Sequence, residues 1–98
     1  MKFVQIIEYK TSQPDEVQKL NDEWLAKTEG KRTPGHSIGC KDRDNPDTYI
    51  EIVEFPSYEA AMRNNDLPET QEFAQKMMAL CDGDAIFRNL DVVNEMDG

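Results

Sequence analysis

Thr48-Tyr49-Ile50-Glu51-Ile52-Val53-Glu54-Phe55 decides the architecture of this chain. The stretch is rich in β-branched and aromatic residues, and its apolar side chains fall on both parities, Ile50 and Ile52 on one and Tyr49, Val53 and Phe55 on the other. A strand with one wet face alternates apolar and polar residues, whereas a strand apolar on both sides is covered on both faces. Lys2 to Lys10, KFVQIIEYK, has the same character, with Phe3, Ile7 and Tyr9 on one parity and Val4 and Ile6 on the other. The two segments therefore read as the central strands of a sheet.

The remaining elements arrange themselves around that pair. Thr11-Ser12-Gln13-Pro14 offers cap candidates and a proline suited to a first helical turn. Val17, Leu20 and Trp24 then repeat at helical spacing toward Gly30. Thr33-Pro34-Gly35 reads as a turn, and His36 to Lys41 forms a strand joined to the 48–55 strand by the polar hairpin loop Asp42 to Asp47. Ser57 opens a short helix. A break at Asn64-Asn65-Asp66 restarts it, with Asp66 and Glu69 at capping-box spacing around Pro68 and Phe73, Met77 and Leu80 as the apolar stripe. Gly83 suits the stop, and Asp84 to Val93 closes the chain as a third two-sided strand. The order β-α-β-β-α-β on 98 residues predicts one α+β, ferredoxin-like domain over residues 1–98, with a four-stranded antiparallel sheet in the order 4-1-3-2. Two helices cover only one face of such a sheet. The apolar second face calls for another cover, most simply an identical sheet across a two-fold axis, giving a homodimer with its helices outside.

Composition narrows the partners. Eleven Lys and Arg stand against 20 Asp and Glu, a formal charge of −9 that repels nucleic acid and anionic membranes. No apolar run reaches the roughly 20 residues of a membrane span. Cys40 and Cys81 are distant in sequence and follow no secretory segment, so both read as small buried hydrophobes of a cytoplasmic protein. The tail Asn94 to Gly98 reads as frayed. One histidine and two separated cysteines supply no metal spacing, and Asp42, Asp44 and Asp47 lack the other ligands of a calcium loop, so no metal and no cofactor is expected.

At this point the chain resembles the dimeric α/β-barrel superfamily, and within it the antibiotic-biosynthesis-monooxygenase-like (ABM) domains. The resemblance spans nearly the whole chain and is carried most specifically by Tyr49 to Phe73: a strand ending in an aromatic at Phe55, a small polar helix start at Ser57, an alanine-rich turn at Ala60-Ala61, a polar-proline break at Asn64 to Pro68, and a helix bearing Phe73. It implies a dimeric barrel with an apolar small-molecule pocket. In relatives that oxidise aromatic polyketides without a cofactor, it implies that the substrate carbanion itself reduces oxygen. Many relatives carry Trp at the position of Phe55 and His at that of Asn64. Asn64 can exchange hydrogen bonds but cannot titrate near neutral pH.

Three residues carry candidate chemistry. His36, the sole histidine, has the ordinary pKa that suits proton transfer near neutrality, or is a strand-end histidine bonded locally. Glu51, between Ile50 and Ile52, is a general base if desolvated, or a carboxylate paired with a cation or pointing to solvent. Arg88 orients an anionic oxygen or serves as that structural partner. Trp24, Asn64 and Phe73 are expected to line a gap between helices and sheet, where small-molecule pockets form, although such a stripe also serves as plain core. Two functions stay open. One is a dimer binding a small aromatic or polyketide-like molecule, with the chemistry of a cofactor-free monooxygenase or a related isomerase or cyclase; the other is a non-catalytic interaction or ligand-sensing dimer.

Overall fold

The computed structural model describes residues 1–33 and 35–97. Its elements run β1 (Phe3–Lys10), α1 (Pro14–Lys27), β2 (His36–Lys41), β3 (Thr48–Phe55), α2 (Tyr58–Asn65), α3 (Pro68–Leu80) and β4 (Ile86–Asp91). One sheet, antiparallel at every pairing, holds the strands in the order β2-β3-β1-β4. This is the expected 4-1-3-2 order read from the opposite edge, and with the helices it makes an α+β ferredoxin-like fold.

β1 and β3 pair over their full length, from Phe3 opposite Phe55 to Lys10 opposite Thr48. Opposed residues of an antiparallel pair share a face. Phe3, Gln5, Ile7 and Tyr9 thus align with Phe55, Val53, Glu51 and Tyr49 on an inner face beneath the helices. Val4, Ile6, Ile52 and Ile50 align on an outer face that β2 and β4 extend with Ile38, Ile86 and Leu90.

The inner face is closed firmly at one end. The Ser57 hydroxyl accepts from the Ala60 N–H at 3.1 Å and caps α2, whose buried stripe is Ala60, Ala61 and Asn64. Ala61, with no exposed surface, packs on Phe3 and Phe55, and Tyr58 meets Phe3 edge-on at 5.4 Å. α1 and α3 lie side by side as a second roof. Thr11 fastens their ends: its hydroxyl donates to the Leu80 carbonyl at 2.6 Å and accepts from the Gln13 N–H at 3.0 Å, while its own N–H donates to the Asp47 carbonyl.

Several local expectations are corrected. Asp66 does not cap α3: its backbone is αR and its N–H donates to the Met62 carbonyl, so it ends α2, and α3 starts at Pro68 after an uncapped Leu67. α1 ends at Lys27 with Thr28 as its C-cap, the Thr28 N–H and hydroxyl both donating to the Trp24 carbonyl, two residues ahead of Gly30, which turns the chain with φ +82°. β4 begins at Ile86, opposite Glu8, two residues later than the sequence suggests. Neither cysteine is a core residue; Cys40 is exposed on the edge strand β2 and Cys81 is half-buried after α3, both as free thiols. The Thr33-Pro34-Gly35 turn reading falls on Pro34, which lies outside the described residues, as does Gly98 of the tail. Glu95 of that tail pairs with Lys2 at 2.6 Å. The 42–47 loop is a solvated turn in which the Asp42 carboxylate accepts from the Asp44 and Asn45 N–H groups, and these bonds hold its pKa below the usual range.

Overfilling the closed end should cost stability. Ala61→Leu forces three extra heavy atoms between Phe3 and Phe55, and a loss of about 1–3 kcal/mol is expected in urea denaturation. An unchanged midpoint would mean that α2 does not press on the sheet there.

Candidate functional site: an open cleft between α1 and the sheet

At the other end of the inner face the roof stands away from the strands. α1 buries only Leu20 and α3 buries no residue. Between the first turns of α1 and the β2-β3-β1 surface lies an open cleft of about 400 Å³, walled by Tyr9, Tyr49, Gly39 and Glu51 from the sheet and by Pro14 and Val17 from the helix. Its size suits a small molecule.

Each sheet residue reaches the cleft through the register. Tyr9 and Tyr49 are directly opposed, and their rings stack at 5.7 Å between centroids and 18° between planes. One step along, Glu51 lies between Ile7 on β1 and Gly39 on β2. The Ser37 hydroxyl, on the same face of β2, donates to Glu51 Oε1. A Cβ at Gly39 would lie 3.2 Å from Glu51 Oε2, so the missing side chain is what lets the carboxylate lie along β2. Burial pushes the Tyr9 phenol up in pKa, and the nearby Glu51 charge adds to the effect. Tyr9 therefore stays neutral and able to donate a hydrogen bond over the ordinary pH range.

The six residues expected at the site are not gathered in one place. Only Glu51 lines the cleft. Trp24 and Phe73 join α1 to α3: their rings pack at 5.8 Å, the indole N–H donates to the Thr70 hydroxyl at 3.0 Å, and the Arg32 guanidinium lies 5.7 Å from the indole ring. The hollow beside them is about 10 Å³, too small for any ligand larger than water. Asn64 is 8 % exposed on the buried stripe of α2, at the closed end, and its Oδ1 has no hydrogen-bond partner. His36 and Arg88 project from the outer face, opposite Glu54 and Ile6 respectively, because strand alternation puts them on the other parity from Ser37 and Asn89. His36 therefore stands on the face opposite Glu51 and outside the cleft.

Sequence reasoning missed Tyr9, Tyr49, Ser37 and Gly39. The signal was the register: once Lys41 is set opposite Tyr49 across the hairpin, Gly39 must face Glu51 and Ser37 must face Val53. Among the described residues no group of three or more His, Cys, Asp or Glu side chains is placed to hold a metal ion.

Solved structures repeat this architecture. SnoaB, a cofactor-independent oxygenase from Streptomyces nogalater, superposes with a TM-score of 0.79 at 15% identity, covering 99% of this chain and 98% of that one. Rv0793 from Mycobacterium tuberculosis gives 0.80 at 11% identity over 99% and 100%. An antibiotic biosynthesis monooxygenase gives 0.75 at 19% identity over 96% and 100%. The chain has the ABM-like fold. No protein-family model matches it, and no curated protein matches it in sequence. At these identities the ABM-like likeness concerns the backbone, and the cleft's side chains are this chain's own. No helix among the described residues is long and apolar enough to cross a membrane.

The cleft leaves a spectroscopic mark. In an absorbance titration Tyr9 should ionise above the ordinary phenol value, and Tyr9→Phe should remove that late step. The sign follows from the raised pKa. The stability Tyr9 contributes is complete below the unfolded value near 10 and is lost as pH rises through the folded value. A titration curve that Tyr9→Phe leaves without any loss at its high-pH end would show that the cleft wall is fully wet.

Proposed function

We propose that the chain is a homodimeric small-molecule-binding protein of the cytoplasm that takes a flat aromatic or polyketide-like ligand in the cleft and acts on it as a cofactor-free, monooxygenase-like enzyme. The observation that carries this reading is the cleft itself, where a stacked tyrosine pair adjoins a carboxylate held by a hydroxyl. In this chemistry Glu51 accepts a proton from an acidic carbon or hydroxyl of the substrate. The resulting carbanion passes electrons to dioxygen and forms a C–O bond, and the peroxide so made takes back the proton held by Glu51; loss of the carbon's second hydrogen then breaks the O–O bond, turning CH2 into C=O and releasing the other oxygen as water. The neutral Tyr9 phenol is a hydrogen-bond donor on the same wall. The cofactor-independent oxygenase with the same fold supports the reaction class. Asn64, whose buried amide oxygen has no partner, lies at the closed end under α2 and forms no part of this site.

The dimer rests on the outer face. A compact monomer of 11.3 kDa exposes about 5,700 Å², and this chain exposes 7009 Å². Ile38, Ile86 and Leu90 on the outer face are each at least two-fifths exposed, and Val4, Ile6, Ile50 and Ile52 lie among them. Two such faces packed across a two-fold axis form the barrel. Two free thiols, one of them exposed, suit a reducing compartment.

One observation favours the second reading, a non-catalytic ligand-sensing dimer. The sole histidine points away from the cleft, leaving no side chain there whose ordinary pKa lies near neutrality.

Sedimentation equilibrium at micromolar concentration should give twice 11.3 kDa, and a monomer would end the barrel reading. With hydroxylated naphthalenes and anthrones as trial substrates, oxygen uptake should fall by about 100-fold or more in Glu51→Gln, the scale of a lost general base. His36→Ala should stay within about two-fold of the parent, since it removes no cleft residue. Oxygen uptake absent from the parent, with ligand still bound, would favour the sensing protein.

A further inference from the structure

The cleft has a charge balance that its fold does not demand. Glu51 stands mid-strand on a central strand, with Ile7, Tyr9, Tyr49 and Val53 as its neighbours along the inner face. Among the described residues it joins no ion pair. The Ser37 hydroxyl satisfies Oε1. Oε2 lies over Gly39, where any Cβ would crowd it. The facing wall of α1 adds Asp15 and Gln18, which present further oxygen acceptors, and the one cation lining the cleft is Lys41, exposed at the end of β2 opposite Tyr49.

A carboxylate on a partly desolvated wall is most stable against a cation with N–H donors. Tyrosine ring faces attract the same kind of partner. Tyr9 stays neutral and adds no compensating charge of its own. The net charge of −9 draws cations toward the whole molecule and repels anionic ligands.

We propose that the ligand of this cleft is a flat aromatic cation, whose protonated amine pairs with Glu51 while its ring lies against Tyr9 and Tyr49. The assignment rests on the cleft being the ligand site. It gives the ligand a chemical class that neither the fold nor the proton-transfer role of Glu51 requires. Gly39 and Ser37 act as positioning residues, one leaving room for the carboxylate and the other fixing its rotation.

The test uses two probes that differ in one group, 2-(aminomethyl)naphthalene and 2-naphthalenemethanol, titrated into the intact protein at pH 7 while the Tyr9 and Tyr49 ring resonances are followed by NMR. The amine should bind about ten-fold or more tightly than the alcohol, the scale of a charged hydrogen bond over a neutral one. Glu51→Gln should bring the two within about two-fold of each other by weakening the amine alone. Raising salt from about 20 to 300 mM should weaken the amine and leave the alcohol unchanged, a readout on the parent protein that does not depend on how a variant folds. Equal affinities that shift both tyrosines, or an amine preference that survives both Glu51→Gln and high salt, would overturn the cationic ligand and leave the cleft as the site. Loss of turnover in Glu51→Gln with both affinities unchanged would do the same, leaving Glu51 as base alone. Tyrosine resonances that respond to neither probe would remove the cleft as a ligand site and this proposal with it.

Discussion

The antiparallel pairing of β1 with β3 sets the position of everything else. Eight cross-strand pairs run from Phe3–Phe55 to Lys10–Thr48, and a slip of one residue would send every inner side chain outward. The same register that delivers Phe3 and Phe55 to α2 delivers Tyr9, Tyr49 and Glu51 to the cleft. One end of a single ladder is packed and the other is left open. The difference lies in the roof: α2 presents alanines that fit closely against aromatic rings, whereas α1 presents Pro14 and Val17 over a β2 that carries no side chain at Gly39.

Much of this was legible in the amino-acid sequence, for identifiable reasons. Central strands declare themselves through apolar residues on both parities, so β1, β3 and the strand order could be read without coordinates. Ser57 was legible as a cap because a hydroxyl ahead of an alanine-rich helix has few competing uses. Glu51 stood out as a carboxylate inside an apolar strand. The rest depended on which residues oppose one another. Tyr9 and Tyr49 look like ordinary strand-end aromatics until they are placed on the same face, and Gly39 means nothing until Glu51 is set across from it. Trp24 and Phe73 have the spacing of a pocket stripe, yet a tryptophan whose N–H finds Thr70 on the neighbouring helix becomes a helix-to-helix joint. Which face His36 and Arg88 take is a one-residue matter that strand alternation decides and composition does not, and the register puts both on the face away from the cleft.

The two sheet faces differ in what they carry. The inner face carries Gln5, Glu51 and the tyrosines, while the outer face sets a patch of Ile, Leu and Val beside the charged Glu8, Glu54 and Arg88 and beside His36. Branched aliphatics suit contact with an apolar surface. Covering Arg88, beside Ile6 on that face, would demand a carboxylate partner because an unpaired buried guanidinium is costly. Glu8 and Glu54 lie on the same face and are the nearest in the ladder to supply one.

The Thr11 fastening has a mechanical consequence. By binding Leu80, Gln13 and Asp47 at once, it ties the entry of α1 to the exit of α3 and both to the hairpin. Farther along, the two helices are latched by Trp24 with Thr70 and by the Lys27–Glu72 and Lys31–Glu69 contacts. The two helices are thus tied to each other at both ends, while together they bury only Leu20. Their fixed spacing is set by contacts between the helices and not by the sheet beneath them, so the height of the roof over Tyr9, Tyr49 and Glu51 follows from side chains that never touch the cleft, Thr70 and Trp24 among them.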